Sequence, residues 1–334
     1  MTQQDPRLTL LEEWLARAQP GAAFTLSPAS ADASFRRYFR ARFEDGRSLI
    51  VMDAPPGQED CRPFVRVAQL LREAGLHAPL VVREDFEKGF LLLSDLGQTT
   101  YLSVLDAASA PRLFDDATSA LVTWQLASRK DVLPPYDEAL LRRELMLFPD
   151  WYLARHVGLA LDPAERSELE QLFAVLIARA TGQPAVFVHR DYMPRNLMVA
   201  DPNPGILDFQ DAVYGPITYD VVSLFKDAFV SWSEEQVLDW TIRYWEKARR
   251  AGLPVADFAA FHEDFEWMGL QRHLKVLGIF ARLAYRDSKH GYLSDTPRFV
   301  RYVRNVAERY RAMGLLVRIL DRVEGRPRQA GLTF

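Results

Sequence analysis

Residues 186–211 read VFVHRDYMPRNLMVADPNPGILDFQD: an apolar strand, the run H-R-D-x-x-x-x-N (His189, Asp191, Asn196), and then a second apolar segment ending I-L-D-F at Asp208. This stretch decides the reading of the rest. Moving a γ-phosphoryl group asks for a carboxylate near the acceptor hydroxyl's proton and for oxygen ligands that hold Mg²⁺ against the phosphates of ATP. Asp191 fits the first role, and Asn196 with Asp208 fits the second. A carboxylate and an amide five residues apart on an irregular loop can face different partners, and Asp208 follows from the next hairpin arm. Magnesium favours such hard oxygen donors and keeps several waters, so two protein ligands suffice.

These residues resemble the aminoglycoside phosphotransferase and choline kinase-like superfamily, small-molecule relatives of the protein kinases. The resemblance covers most of the chain, including G-P-I-T-Y-D ending at Asp220 and F-L-L-L-S-D-L-G from Phe90 to Gly97. It implies an α+β, bilobal, protein-kinase-like fold: a small N-terminal lobe with an antiparallel sheet over residues 1–96, and a larger, mainly helical lobe over 97–334. Four stretches are further similar to a branch of bacterial sugar kinases. They are A-D-A-S-F-R-R-Y-F-R (Ala31 to Arg40), L-I-V-M-D-A-P-P (Leu49 to Pro56), H-R-D-Y-M-P-R-N and I-L-D-F-Q-D-A. Those kinases phosphorylate the anomeric C1 hydroxyl of N-acetylmuramate and N-acetylglucosamine in peptidoglycan recycling. The resemblance thus implies an ATP- and Mg²⁺-dependent sugar kinase. Other acceptors such as an aminoglycoside, choline or homoserine remain alternatives within the class, and a nucleotide-binding pseudokinase is the alternative outside it.

Composition agrees. The chain has 334 residues, 49% hydrophobic and 26% charged, enough for an ample core and about two domains. One cysteine, Cys61, excludes an intramolecular disulfide framework. The N-terminus MTQQDPRLT has no apolar signal core, and no apolar run is long enough to cross a bilayer, so a cytoplasmic enzyme with no membrane partner is expected. A net charge of −4 gives no general attraction to nucleic acid. The expected partners are ATP and an amino sugar; the oligomeric state is open, and a monomer is compatible.

Outward from the loop, Leu8 to Ala18 reads as an amphipathic helix opened by a Thr9/Glu12 capping box. Phe35 to Phe43 and Leu49 to Asp53 read as strands joined at Asp45-Gly46, Pro63 to Ala74 as a helix stopped by Gly75, and Val81 to Glu84 and Phe90 to Leu93 as strands. The outline is β, β, β, α, β, β. Helices then follow at Leu113 to Ser128, Asp137 to Val157, Pro163 to Thr181 and from Ser233 onward. The Arg-rich stretch Arg298 to Arg328 reads as the wet side of amphipathic helices.

By the resemblance, adenine meets the backbone of Leu93, Ser94, Asp95 and Leu96 in a cleft between the lobes. Kinases place a phosphate-binding lysine on strand three, but L-I-V-M-D puts Met52 there. The helix that should carry its glutamate offers Val65, Arg66 and Val67, so both members of the pair are gone. Another cation must serve the phosphates. Arg36, Arg37 and Arg40 are the candidates, following the short-residue turn that ends at Ser34, where kinases have a glycine-rich loop; a guanidinium can hold phosphate oxygens bidentately. On a strand, Arg36 and Arg40 would share one face and Arg37 the other.

His189 reads as a hydrogen-bonded core histidine and Arg190 as a structural ion-pair residue. Asp220 reads as an N-cap or, by the resemblance, as the anchor of the catalytic loop's amides. For the acceptor pocket the candidates are Glu144, Trp151, Tyr152, Arg195, Asp211, Arg282, Arg286 and Asp287, because sugars need aromatic platforms and forked polar contacts and the lactyl carboxylate of muramate favours arginine.

Overall fold

A computed structural model describes residues 5–30 and 35–326. The chain divides into two compact units, Met1–Leu105 with Arg195–Asp211, and Asp106–Pro194 with Ala212–Phe334.

The first unit is built on helix α1 (Pro6–Ala18), strands β1 (Phe24–Ser30), β2 (Arg37–Phe43) and β3 (Ser48–Asp53), helix α2 (Arg62–Glu73), strands β4 (Val81–Asp85) and β5 (Phe90–Ser94), and a single helical turn, α3 (Tyr101–Val104). The strands form one antiparallel sheet in the order β1-β2-β3-β5-β4. Alternation along the strands sends Phe39, Ala41, Phe43, Val51, Phe90 and Leu92 to one face, where they bury Leu11, Trp14 and Leu15 of α1. The order of elements follows the sequence outline, but strand β1 (Phe24–Ser30) had no residues assigned to it, and two bounds differ. Helix α1 starts earlier than Leu8 and is capped by Asp5, whose carboxylate accepts from the amides of Arg7 and Leu8; the Thr9/Glu12 capping box does not form. Strand β2 begins at Arg37, which leaves Phe35 and Arg36 before it.

The segment Arg195–Asp211 belongs to this unit through its backbone. Leu197–Met198 pairs with Gly205–Ile206, the Ile206 amide donates to the carbonyl of His77 at 2.8 Å, and that of Val199 to Thr99 at 2.8 Å. Phe209, wholly buried, packs on Phe64 of α2 with ring centroids 4.7 Å apart.

The second unit contains α4 (Ala110–Leu126), α5 (Glu138–Leu147), a π-helix (Phe148–Val157), α6 (Pro163–Thr181), a two-stranded ladder of Ala185–Val188 with Val213–Pro216, α7 (Tyr219–Phe225), α8 (Glu234–Arg250), the 30-residue α9 (Phe258–Asp287), α10 (Thr296–Ala307) and α11 (Gly314–Val323). Asp137 to Val157 is not one α-helix. Pro149 carries no N–H for an α-type bond, and the winding widens at Phe148. No helix among the described residues is long and apolar enough to cross a membrane.

α9 organises this unit. It is lined by buried apolar residues and also carries buried Gln271, Arg272, His273 and Lys275. At Gly278 it crosses the C-terminal end of α5 so closely that a Cβ would lie 2.4 Å from the carbonyl carbon of Leu147. Lys275 faces a cluster centred on Glu144, which is 6% exposed. The Glu144 carboxylate receives Lys275 at 2.8 Å, Arg190 at 2.5 Å, Gln271 at 3.3 Å and the Tyr136 hydroxyl. Burial alone pushes that carboxyl up, but the charges of Lys275 and Arg190 outweigh it and hold the group down at about 2.

Two outcomes are expected. Gly278→Ala should lose about 1–3 kcal/mol in denaturant melts, because backbone and not a pliable side chain blocks the new methyl; wild-type stability would show that α5 and α9 can part without cost. Glu144→Gln should lose about 3–5 kcal/mol at neutral pH by leaving two buried cations side by side. Since the carboxyl is depressed from its ordinary 4.5 to about 2, that gap should be full above pH 4.5 and close as pH falls toward 2. A pH-independent gap in melts across this range would remove the charge argument.

Candidate active site

The strand Ala185–Val188 delivers His189, Arg190 and Asp191 into an irregular loop. That loop's backbone is fixed by Asp220 in the first turn of α7: the amide of His189 donates to one carboxylate oxygen at 2.6 Å and that of Arg190 to the other at 2.9 Å. Asp220 is buried, and burial pushes its carboxyl up to about 7 although both amides pull it down. Arg190 adopts a left-handed backbone with φ 75°, uncommon for a residue with a long side chain, and its guanidinium is tied to Glu144. His189 is buried, with its Nδ1 accepting from the amide of Asp191 at 3.3 Å and its ring against Tyr192. Asp191 is half-buried.

The two residues read as metal ligands lie together in the first unit. Asn196 ends a short 3₁₀ turn (Pro194–Asn196), and its Nδ2 donates to Asp208 Oδ2 at 3.3 Å. The amide of Leu207 donates to the Asn196 carbonyl at 2.9 Å, which locks the two turns. Asp208 has φ 60°, a left-handed conformation that aspartate tolerates better than most residues, and its Oδ1 accepts from Gln210 at 3.0 Å. This contact sets an amide and a carboxylate side by side, both of them carrying oxygen donors. No group of three or more His, Cys, Asp or Glu among the described residues could hold a metal ion. A carboxylate and an amide oxygen still suit magnesium, which retains water in its remaining positions.

The nucleotide candidates separate. Leu93 and Leu96 are buried, and the Ser94 amide donates to Leu80 at 2.9 Å while its hydroxyl accepts from the Leu80 amide at 2.8 Å. The Asp95 carboxylate is taken by Arg40 at 2.6 Å and Ser48 at 2.7 Å; burial raises its pKa, but these partners bring it below the usual carboxylate range. Arg40 is itself buried and also donates to the carbonyl of Gly97 at 2.7 Å. Arg37 binds Asp53 at 2.5 Å and also Asp5. Both guanidinium groups therefore already hold carboxylates, and a phosphate would have to displace these. Arg36 is half-buried ahead of β2, not on a strand face with Arg40, and Met52 is fully buried. Ser34 lies outside the described residues.

The acceptor candidates differ in their surroundings. Glu144 sits in the buried ion cluster. Tyr152 is 3% exposed and stacks on Phe148, with burial raising its hydroxyl to about 12. Trp151 and Arg282 are half-buried; burial and the nearby Arg286 lower the Arg282 pKa. Arg286 and Asp287 pair with each other at 2.8 Å near the end of α9. In the first unit, Arg195 is half-buried and Asp211 exposed. Sequence reasoning missed Lys275, Tyr136 and Gln210. A lone lysine inside the apolar run L-K-V-L-G-I-F was the one available signal, since such a charge demands a buried partner.

Comparisons with known proteins extend this geometry. The model of the phosphotransferase enzyme family matches residues 25–258. The N-acetylmuramate/N-acetylglucosamine kinase of Pseudomonas aeruginosa is 55% identical over 305 residues, covering 91% of this chain and 89% of that one. The protein of the same name from Neisseria meningitidis serogroup B is 47% identical over 330 residues, covering 97% and 98%. A crystal structure of a choline/ethanolamine kinase family protein from Mesorhizobium loti superposes with TM-score 0.61 at 14% identity, covering 94% and 99%, a likeness of fold. The chain, with an antiparallel sheet in one unit and a mainly helical second unit, belongs to the phosphotransferase enzyme family.

Proposed function

We propose that this protein is an ATP- and Mg²⁺-dependent sugar kinase that phosphorylates the anomeric C1 hydroxyl of N-acetylmuramate and N-acetylglucosamine, in the cytoplasm, for peptidoglycan recycling. The Asn196–Asp208 pair on two locked turns carries the chemistry of this reading. The substrates in the names of its 55% and 47% identical relatives supply the acceptor.

Asp191 serves as the base. It orients the C1 hydroxyl and takes its proton as the new O–P bond forms and ADP leaves. The anomeric hydroxyl suits a carboxylate base, since the ring oxygen withdraws electron density and makes it more acidic than an ordinary alcohol. Asn196 and Asp208 would hold magnesium, which when bound neutralises phosphate charge. The backbone of Leu93–Leu96 receives adenine, and residues 1–96 form the nucleotide lobe with 97–334 as the acceptor lobe. Arg36, Arg37 and Arg40 are the candidates to meet the phosphates, Arg37 and Arg40 by exchanging the carboxylates they hold. Trp151 and Arg282 are the best-suited acceptor contacts, one supplying a ring face and the other a partly desolvated guanidinium for the lactyl carboxylate.

The reading is tested by incubating the protein with ATP, magnesium and N-acetylmuramate and recording ³¹P NMR. A new phosphate coupled to the anomeric proton is expected, and it should vanish when magnesium is chelated. Phosphate on another carbon, or none, would reject the assignment. Asp191→Asn should fold and bind ATP while turnover falls about 10²–10⁴-fold; a drop of only a few-fold would take the base role from Asp191.

A further inference from the structure

Within the second unit, the C-terminal end of α7 opens on a cavity of about 280 Å³ whose walls include Trp232, Phe265, Tyr302, His262, Lys226 and Arg301. None of the residues named for catalysis, metal, nucleotide or acceptor lines it. α7 begins at the Asp220 turn that holds the catalytic loop and ends at Phe225, with Lys226 its C-cap.

The charges in the cavity do not balance. Its two acids are already engaged: Glu266 accepts from Arg309 and from the Tyr310 hydroxyl at 2.6 Å, and Glu234 accepts from Arg309 at 2.5 Å and Asn305 at 3.0 Å. Lys226 is only 9% exposed, yet among the described residues its ammonium meets no hydrogen-bond acceptor or carboxylate within contact; its near neighbour is the Phe265 ring, 5.4 Å from Nζ. Burial pushes that ammonium down to about 8, with Glu266 opposing and Arg309 adding to the shift. Arg301, exposed on the rim, likewise has no carboxylate partner among the described residues. A cation this deeply buried is costly unless paired, and its cost is recovered when an anion enters.

We infer that this cavity is a second ligand site, taking a small organic oxyanion, phosphate monoester or carboxylate, with its charge on Lys226 and Arg301 and its body against Trp232 and Tyr302. The volume limits the ligand to roughly the size of a sugar phosphate, below the usual span of drug-sized pockets. Arg301 offers the planar fork that such oxyanions accept, and Lys226 the point charge. This site stands apart from the acceptor reading and does not depend on it.

The test is isothermal titration of the nucleotide-free protein, at constant ionic strength, with N-acetylglucosamine 1-phosphate, inorganic phosphate, lactate and neutral N-acetylglucosamine. At least one of the three anions should bind, with preference for phosphate or for lactate identifying the headgroup. Lys226→Met should weaken that binding at least about tenfold, since it removes a charge-assisted contact, and Arg301→Ala should weaken it several-fold. Binding of the neutral sugar should be the same in all three proteins. Methionine fits a buried lysine's volume, and Arg301 lies at the surface, so the second variant reports even if the first misfolds. Failure of all three anions to bind, or unchanged affinity in both variants, overturns the site.

Discussion

One buried carboxylate sets the shape of the loop that carries Asp191. Asp220 receives the amides of both His189 and Arg190, so two consecutive peptide units must point at one side chain. Arg190 meets that demand with a left-handed backbone, φ 75°, which a residue with a long side chain adopts at a cost. The cost is borne because Arg190 is gripped twice, by Asp220 at its amide and by Glu144 at its guanidinium. Asp191 therefore follows a residue with little freedom. A general base, the role proposed for Asp191, needs such fixing, since misplacement of about 1 Å can cost 10²-fold in rate.

Glu144 holds Arg190 and Lys275 at once. Two cations against one carboxylate would be a net burden if the carboxylate could protonate, but their combined field keeps it ionised far below neutral pH. The cluster reaches from α5 through the loop to α9, elements more than a hundred residues apart in sequence. The pair proposed as metal ligands, Asn196 and Asp208, is secured differently. Asp208 is placed by a left-handed turn and by Phe209, whose ring is buried on Phe64, so apolar packing in the first unit aims a polar group. One loop is held by charge and the other by a ring.

Much of this was legible in the sequence, for identifiable reasons. The H-R-D-x-x-x-x-N and I-L-D-F runs stand out by residue type and spacing, and helix α6 runs over the residues read for it, Pro163–Thr181, with Asp162 and Glu165 forming a capping box at its start. Four of the five strands came from alternation and from Asp45-Gly46, while Phe24–Ser30 was assigned to none. What the sequence did not reveal depends on partners far along the chain. Thr9 looked like a cap because nothing local shows that Asp5 is better placed. The wide turns from Phe148 to Val157 keep nearly helical periodicity, so their boundary is hidden apart from Pro149. Glu144 resembled a pocket residue because Arg190 and Lys275, which claim it, stand 46 and more positions away.

The arginines of β2 show how a local pattern can mislead about chemistry. With Met52 in the lysine's usual seat, a row of guanidinium groups nearby invites the reading that they serve phosphate. The neighbouring position supplies a different demand. Asp53 has no solvent exposure, and a buried carboxylate without cations would be intolerable in this sheet. Arg7 reaches it from α1 at 2.9 Å through Nε, and Arg37 from the adjacent strand at 3.0 Å, so two guanidinium groups neutralise one acid and staple α1 across the sheet. Arg40 repeats the pattern with Asp95, tying β2 to the end of β5. The guanidinium fork that would suit phosphate oxygens suits a carboxylate equally well, and here the carboxylates are within the fold itself. Charge in this sheet thus first meets a structural need, pairing strand to helix and strand to strand.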